Sequence, residues 1–115
     1  MIRICLHNAF PRDVLSFDAL TIQGHANSGE YGRDLVCCAI STLGIATLNT
    51  LTDGIGLRKW IRFEVREGYL DIRLDTKHLS RQQMHDAQVI INGFVINAEM
   101  LAKQHPNYIE IQQEE

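Results

Sequence analysis

Cysteine is scarce in this chain and is the wrong number for a bridge framework: only Cys5, Cys37 and Cys38 occur, and the last two are neighbours that can scarcely pair with each other. No C-x-x-C knuckle is present either, and adjacent cysteines diverge, so a zinc site built from His25, Cys37 and Cys38 is unattractive and no metal is expected. Basic residues are not in excess. With Lys and Arg at 11 against Asp and Glu at 14, the net charge is −3, which argues against a domain that grips nucleic acid through its phosphate backbone.

Other absences narrow the choice further. The N-terminus alternates at once through Met1-Ile2-Arg3-Ile4-Cys5 and lacks the continuous apolar core of a signal peptide, so a cytoplasmic location is expected. The longest apolar run, Leu35 to Leu51, is broken by Ser41, Thr42, Gly44, Thr47, Asn49 and Thr50, which suits a buried helix better than a membrane span. No membrane partner follows. No internal repeat, low-complexity tract or linker divides the 115 residues, a length that carries a core without disulfides or metal, so residues 1–115 are expected to form one domain.

What the sequence does hold is a sequence of alternating and periodic segments. Ile2, Ile4 and Leu6 alternate with Arg3, Cys5 and His7, a half-buried strand. Pro11 marks the turn, and a second strand over Val14 to Gln23 ends at Gly24. A helix from about Asp34 to about Thr52 is apolar around almost its whole circumference, which predicts burial on more than one side. Asp53-Gly54 closes it. Two strands then meet at Glu67-Gly68, the clearest hairpin in the chain. Ser80 caps a second helix over Arg81 to Gln104, Pro106 marks its end, and a short strand at Tyr108, Ile109 and Ile111 leads into an acidic tail from Gln112 to Glu115. The order β-β-α-β-β-α-β predicts an α+β fold, a largely antiparallel sheet packed with two helices.

The candidate chemistry lies in the stretch Gly24-His25-Ala26-Asn27-Ser28-Gly29-Glu30-Tyr31-Gly32-Arg33-Asp34-Leu35-Val36-Cys37. Gly24, Gly29 and Gly32 read as loop glycines that permit φ > 0 and close backbone approach. They are not a phosphate cradle, because no dinucleotide fingerprint precedes them and no Lys-Ser/Thr follows, so no cofactor is expected. Asp34 is a natural N-cap, which puts Cys37 in the first turn, where free N–H groups and the helix dipole favour a thiolate. His25, twelve residues upstream, can fold back beside the sulfur, and Cys plus His is the minimal activated-nucleophile pair. Ser41 shares the face of Cys37 one turn on. Cys38, about 100° round the helix, reads as packing, and Cys5 as a sheet residue. His7, His78, His85 and His105 read as surface or element-end residues.

The run Gly24-His25-Ala26, Gly29-Glu30-Tyr31-Gly32 and Asp34-Leu35-Val36-Cys37, with Ser41 beyond, resembles the ribosomal-processing cysteine protease family, Prp, also described as YsxB-like. The resemblance covers nearly the full chain and is specific in this stretch. It implies that His25 is the catalytic histidine and Cys37 the nucleophile, and that Asp34, Ser41 and Gly24 support them. It implies a homodimer whose substrate is the hydrophobic N-terminal extension of large-subunit ribosomal protein twenty-seven. Position 38 departs from the family, which more often has a small residue such as alanine there. An alternative class stays open on the residues alone: a non-catalytic, ribosome-associated module that uses the same loop as a peptide groove. A large hydrophobic surface contributed by Trp60, Phe63 and the second helix points independently to a homodimer.

Overall fold

The computed structural model describes residues 1–8, 17–24 and 31–114, and of Asn8 and residues 31–34 it describes the backbone. Among the described residues, five strands and two α-helices follow one another as β1 (Ile2–Asn8), β2 (Phe17–Gln23), α1 (Tyr31–Asn49), β3 (Ile61–Arg66), β4 (Tyr69–Leu74), α2 (Arg81–Gln104) and β5 (Ile109–Glu114). The expected α+β class and element order are both present. The sheet runs β3-β4-β2-β1-β5. Three pairings are antiparallel, and β1 with β5 is parallel. It follows that β4 and β5 point the same way, as do β2 and β3, so each helix is a crossover between co-directional strands.

Strand alternation decides which face is covered. Ile4, Leu6, Leu20, Ile22, Leu70 and Ile72 stand in matched positions across β1, β2 and β4, and all are buried in one core with Val36, Ile40, Ile91 and Phe94 of the helices. The residues between them, Arg3, Cys5, His7, Thr21, Asp71 and Arg73, face the side that has no helix among the described residues. Gly44 lets α1 lie close to the sheet: a Cβ there would meet Leu70 Cδ2 at 2.6 Å and Ile22 Cδ1 at 2.7 Å.

Ser80 caps α2 as expected, with a full capping box: its hydroxyl accepts from the Gln83 N–H at 3.1 Å, and its own N–H donates to Gln83 Oε1 at 2.8 Å. The Gln88 amide then clips α2 to the start of β2. It accepts from the Phe17 N–H and donates to the Phe17 carbonyl, both at 2.7 Å.

The second strand is described from Phe17 to Gln23, and its expected start over 14–16 lies outside the described residues. Three expectations need correction here. The C-terminal tail is not a tail, because β5 continues to Glu114 by pairing with β1. Backbone pairing overrides the weak β-propensity of Gln and Glu there. Burial of α1 is confined to one broad face, through Val36, Ile40, Gly44, Thr47 and Leu48, while Leu35, Cys38, Thr42, Ala46 and Asn49 are exposed. The stretch Leu35–Gly54 is long and apolar enough to cross a membrane, with mean hydropathy 1.6, but it packs that face on the sheet, as a core helix does. Lastly, Trp60 is not free surface: it is half-buried and stacks on His78 with ring centroids 4.8 Å apart.

Candidate active site

Gly24 ends β2 with φ +99, a left-handed conformation that an L side chain rarely adopts. Its N–H donates to the Gly68 carbonyl at 3.0 Å, tying the end of β2 to the β3–β4 turn. A Cβ at this position would fall 2.4 Å from the Met1 carbonyl oxygen. The expected need for glycine is therefore met twice, by conformation and by close approach. Residues 25–30, with His25 and Gly29, lie outside the described residues.

The helix start departs from expectation. α1 begins at Tyr31, so Asp34 is the fourth helical residue and does not occupy the N-cap, and Gly32 is a helical rather than a loop residue. Glycine costs a helix only about 1 kcal/mol relative to alanine, which a helix held by tertiary packing absorbs. Cys37 is in turn the seventh helical residue, in the second turn. Its amide lies beyond the first four N–H groups, the ones a helix leaves unbonded. Its Cβ still tilts toward the helix N-terminus, as every helical side chain does.

Cys37 is half-buried and rests against the core. Cys38 is exposed, which reverses the packing role expected of it. The reason is the single buried face of α1: Val36 and Ile40 set its centre, Cys37 sits at its margin, and position 38 has turned about 100° further toward solvent.

Ser41, one turn after Cys37 and exposed, lines a small pocket of about 70 Å³ with Gly24, Ile45, Val65, Arg66 and Tyr69. An open groove of about 420 Å³ continues along α1 past Ser41, Thr42, Ile45 and Asn49. Arg66 guards the hairpin side, its guanidinium 4.1 Å from the Tyr69 ring centroid and its Nε 3.2 Å from Glu64 Oε1. The structure thus gathers Gly24 and Ser41, two of the predicted supporting residues, at one pocket. Val65, Arg66 and Tyr69 were not singled out from sequence, since they reach the pocket through the pairing of β4 with β2, and no local pattern announces that. A larger hollow of about 700 Å³, lined by His7, Asp18, Arg62 and Arg73 among others, lies on the helix-free side of the sheet. It faces away from α1 and mixes charges of both signs.

Residues 1–110 match the family described as cysteine protease Prp. The chain belongs to that family. It is 22% identical to the ribosomal processing cysteine protease Prp of Bacillus subtilis strain 168 over 111 residues, 96% of each chain. Its fold is also that of the Prp protease of Staphylococcus aureus solved with a substrate peptide, at TM-score 0.75 and 18% identity over 99% of this chain and 100% of that one. A second Staphylococcus aureus Prp structure, with a covalently linked product peptide, superposes at TM-score 0.72 and 19% identity with the same coverage. Prp is a family of cysteine proteases with a ribosomal processing role, and the enzyme class of the chain is set by that membership.

Proposed function

We propose that this chain is an endopeptidase that removes the hydrophobic N-terminal extension of large-subunit ribosomal protein twenty-seven during ribosome assembly in the cytoplasm, with Cys37 as nucleophile and His25 as its base. The observation that carries the reading is the family match over residues 1–110, within which Cys37 is the cysteine one turn before Ser41, which lines the groove. The peptide-bound and covalently linked structures of the Staphylococcus aureus relative support a peptide substrate and a covalent route.

In this mechanism His25 takes the thiol proton of Cys37, and the thiolate attacks the scissile carbonyl to form a tetrahedral oxyanion. Collapse expels the amine, which takes its proton from His25, and leaves a thioester. Water, deprotonated by His25, then releases the new C-terminus and restores the thiol. Because Cys37 lies in the second turn, the helix dipole, which acts mainly within the first turn, gives it less help than a first-turn position would. The histidine therefore carries most of the activation. Oxyanion stabilisation falls to N–H groups of the first turn of α1, toward which the Cys37 side chain leans.

The deciding experiment is mass spectrometry of the extended ribosomal protein after incubation with the chain. A single defined N-terminal truncation is expected; an unchanged mass overturns the reading. We further propose a homodimer. Phe63 and Val65 point to the helix-covered side of edge strand β3 yet are 44% and 49% exposed, and Val89, Ile96 and Met100 form an exposed apolar stripe on α2. Light scattering should give twice 13.1 kDa, and a species of monomer mass alone removes the proposal.

A further inference from the structure

On the helix-free face, at the parallel edge of the sheet, three side chains converge that the protease reaction does not use. Cys5 and His7 are two apart on β1 and therefore share a face. Parallel pairing sets Glu114 of β5 opposite His7 and Gln112 opposite Cys5. The Cys5 sulfur, a His7 ring nitrogen and a Glu114 carboxylate oxygen all lie within 4.8 Å of one another. His7 Nδ1 is already 3.4 Å from Glu114 Oε2. Zinc held by sulfur at about 2.3 Å and by nitrogen or oxygen at about 2.0–2.2 Å in a tetrahedron separates its ligands by roughly 3.3–3.6 Å. Closing the set thus asks for side-chain rotation and no backbone shift, and the Glu114 side chain, 55% exposed, is free to supply it.

The neighbours leave room. On the β2 side, Ala19 stands opposite His7 and Thr21 opposite Cys5. Ala19 offers only a methyl group, and the Thr21 hydroxyl donates away from the cluster to Asp71 Oδ1 at 2.7 Å. The donor set is also discriminating. A thiolate with an imidazole and a carboxylate suits zinc, whereas magnesium and calcium prefer oxygen alone. A dication bound here would displace the Cys5 thiol proton.

We propose that Cys5, His7 and Glu114 form a zinc(II) site, with water as the fourth ligand, that fastens the C-terminal strand β5 to β1. Binding releases the Cys5 proton to solvent and joins the two strands through side chains in addition to their backbone ladder. The site is separate from Cys37, which lies on the other side of the sheet.

The test is titration of the chelator-treated full chain with zinc chloride by calorimetry and thermal melting, beside cobalt(II) substitution read by its thiolate-to-metal charge-transfer band. One equivalent should bind and raise the melting midpoint in excess metal, and the cobalt band should appear in the wild type, in Cys37→Ala and in Cys38→Ala. Cys5→Ser should abolish the band. His7→Ala, at a half-buried position, and Glu114→Gln, at an exposed one, should each weaken binding, and loss of His7 should do so by at least about a hundredfold, the upper end of the 10–100-fold of an outer-shell change. Absence of the band in the wild type overturns the proposal, as does a band that survives Cys5→Ser, or unchanged affinity in His7→Ala and Glu114→Gln.

Discussion

The two helices cover the same face of one sheet but are held by different means. α2 is fastened near its N-terminus by its own polar residues: the Ser80–Gln83 box closes its first turn, and the Gln88 amide clips its second turn to Phe17. α1 is fastened by its middle, where Gly44 settles onto Leu70 and Ile22. It then ends in a π-helical turn over Thr50–Gly54, in a segment where Thr47, Thr50 and Thr52 donate their hydroxyls back to the carbonyls of Leu43, Ala46 and Leu48. Side-chain bonds of that kind compete with the regular ladder. The lesson is a division of labour: α2 is a clamped strut, whereas α1, which carries the proposed nucleophile Cys37, depends on close approach to the sheet for its position.

The largest effect that would sharpen this division is at Cys37. Cys37→Ala should lower cleavage of the extended ribosomal protein by at least about a thousandfold, since losing a nucleophile costs more than losing a general base, worth about 10²–10⁴. The melting midpoint should scarcely move. A variant that still cleaves at wild-type rate would show that α1 does not carry the chemistry.

Substitutions that empty or crowd the core should act the other way. Phe94→Ala in α2 removes a side chain only 3% exposed, and its cost is expected at about 3–5 kcal/mol by denaturant unfolding. Gly44→Ala is expected to cost about 1–3 kcal/mol, because its methyl meets the ends of the Leu70 and Ile22 side chains, which must move. Since Gly44 sets the seat of α1, this variant should lose cleavage efficiency as well as stability at temperatures where it remains folded. Phe94→Ala should lose stability alone. Equal kinetic loss in both would erase the distinction between strut and reactive helix. Ser80→Ala comes next, at about 1 kcal/mol for a lost N-cap.

How far each helix could be read in advance follows from the same contrast. Ser80, Gln83 and the period of Ala87, Ile91, Phe94 and Ala98 put both ends and the buried face of α2 into local pattern. The β3–β4 hairpin was equally plain, because Glu67-Gly68 supplies the turn and Gly68 takes φ +71. α1 was harder. Three glycines before Asp34 suggested a loop running up to a cap, yet the helix already includes Tyr31, and local propensity could not foresee it. The parallel pairing of β5 with β1 was also hidden, since Gln112, Gln113 and Glu114 have no strand signature of their own and are strand only by partnership. At the site, Gly24 was legible from its conformational demand, whereas Arg66 and Tyr69 come to it through tertiary pairing alone.

The smallest effect is the one that most directly tests the orientation of α1. An apolar helix suggests that a cysteine next to the proposed nucleophile is a core residue, and Cys38→Ala would then cost stability. In the structure Cys38 is exposed, so its removal leaves no cavity, and surface changes of this type fall within about 0.5 kcal/mol. Alanine is the better helix former, so the small shift should be toward higher stability. Cleavage should be unchanged. The same variant isolates the reactive thiol: Cys5 is held protonated by burial and by Glu114, leaving Cys37 as the group that iodoacetamide modifies quickly at neutral pH. Loss of cleavage should then follow a single carbamidomethyl group on Cys37. Should Cys38→Ala instead lose cleavage while Cys37→Ala keeps it, the reactive face of α1 is the solvent-facing one, and the nucleophile is the neighbouring cysteine.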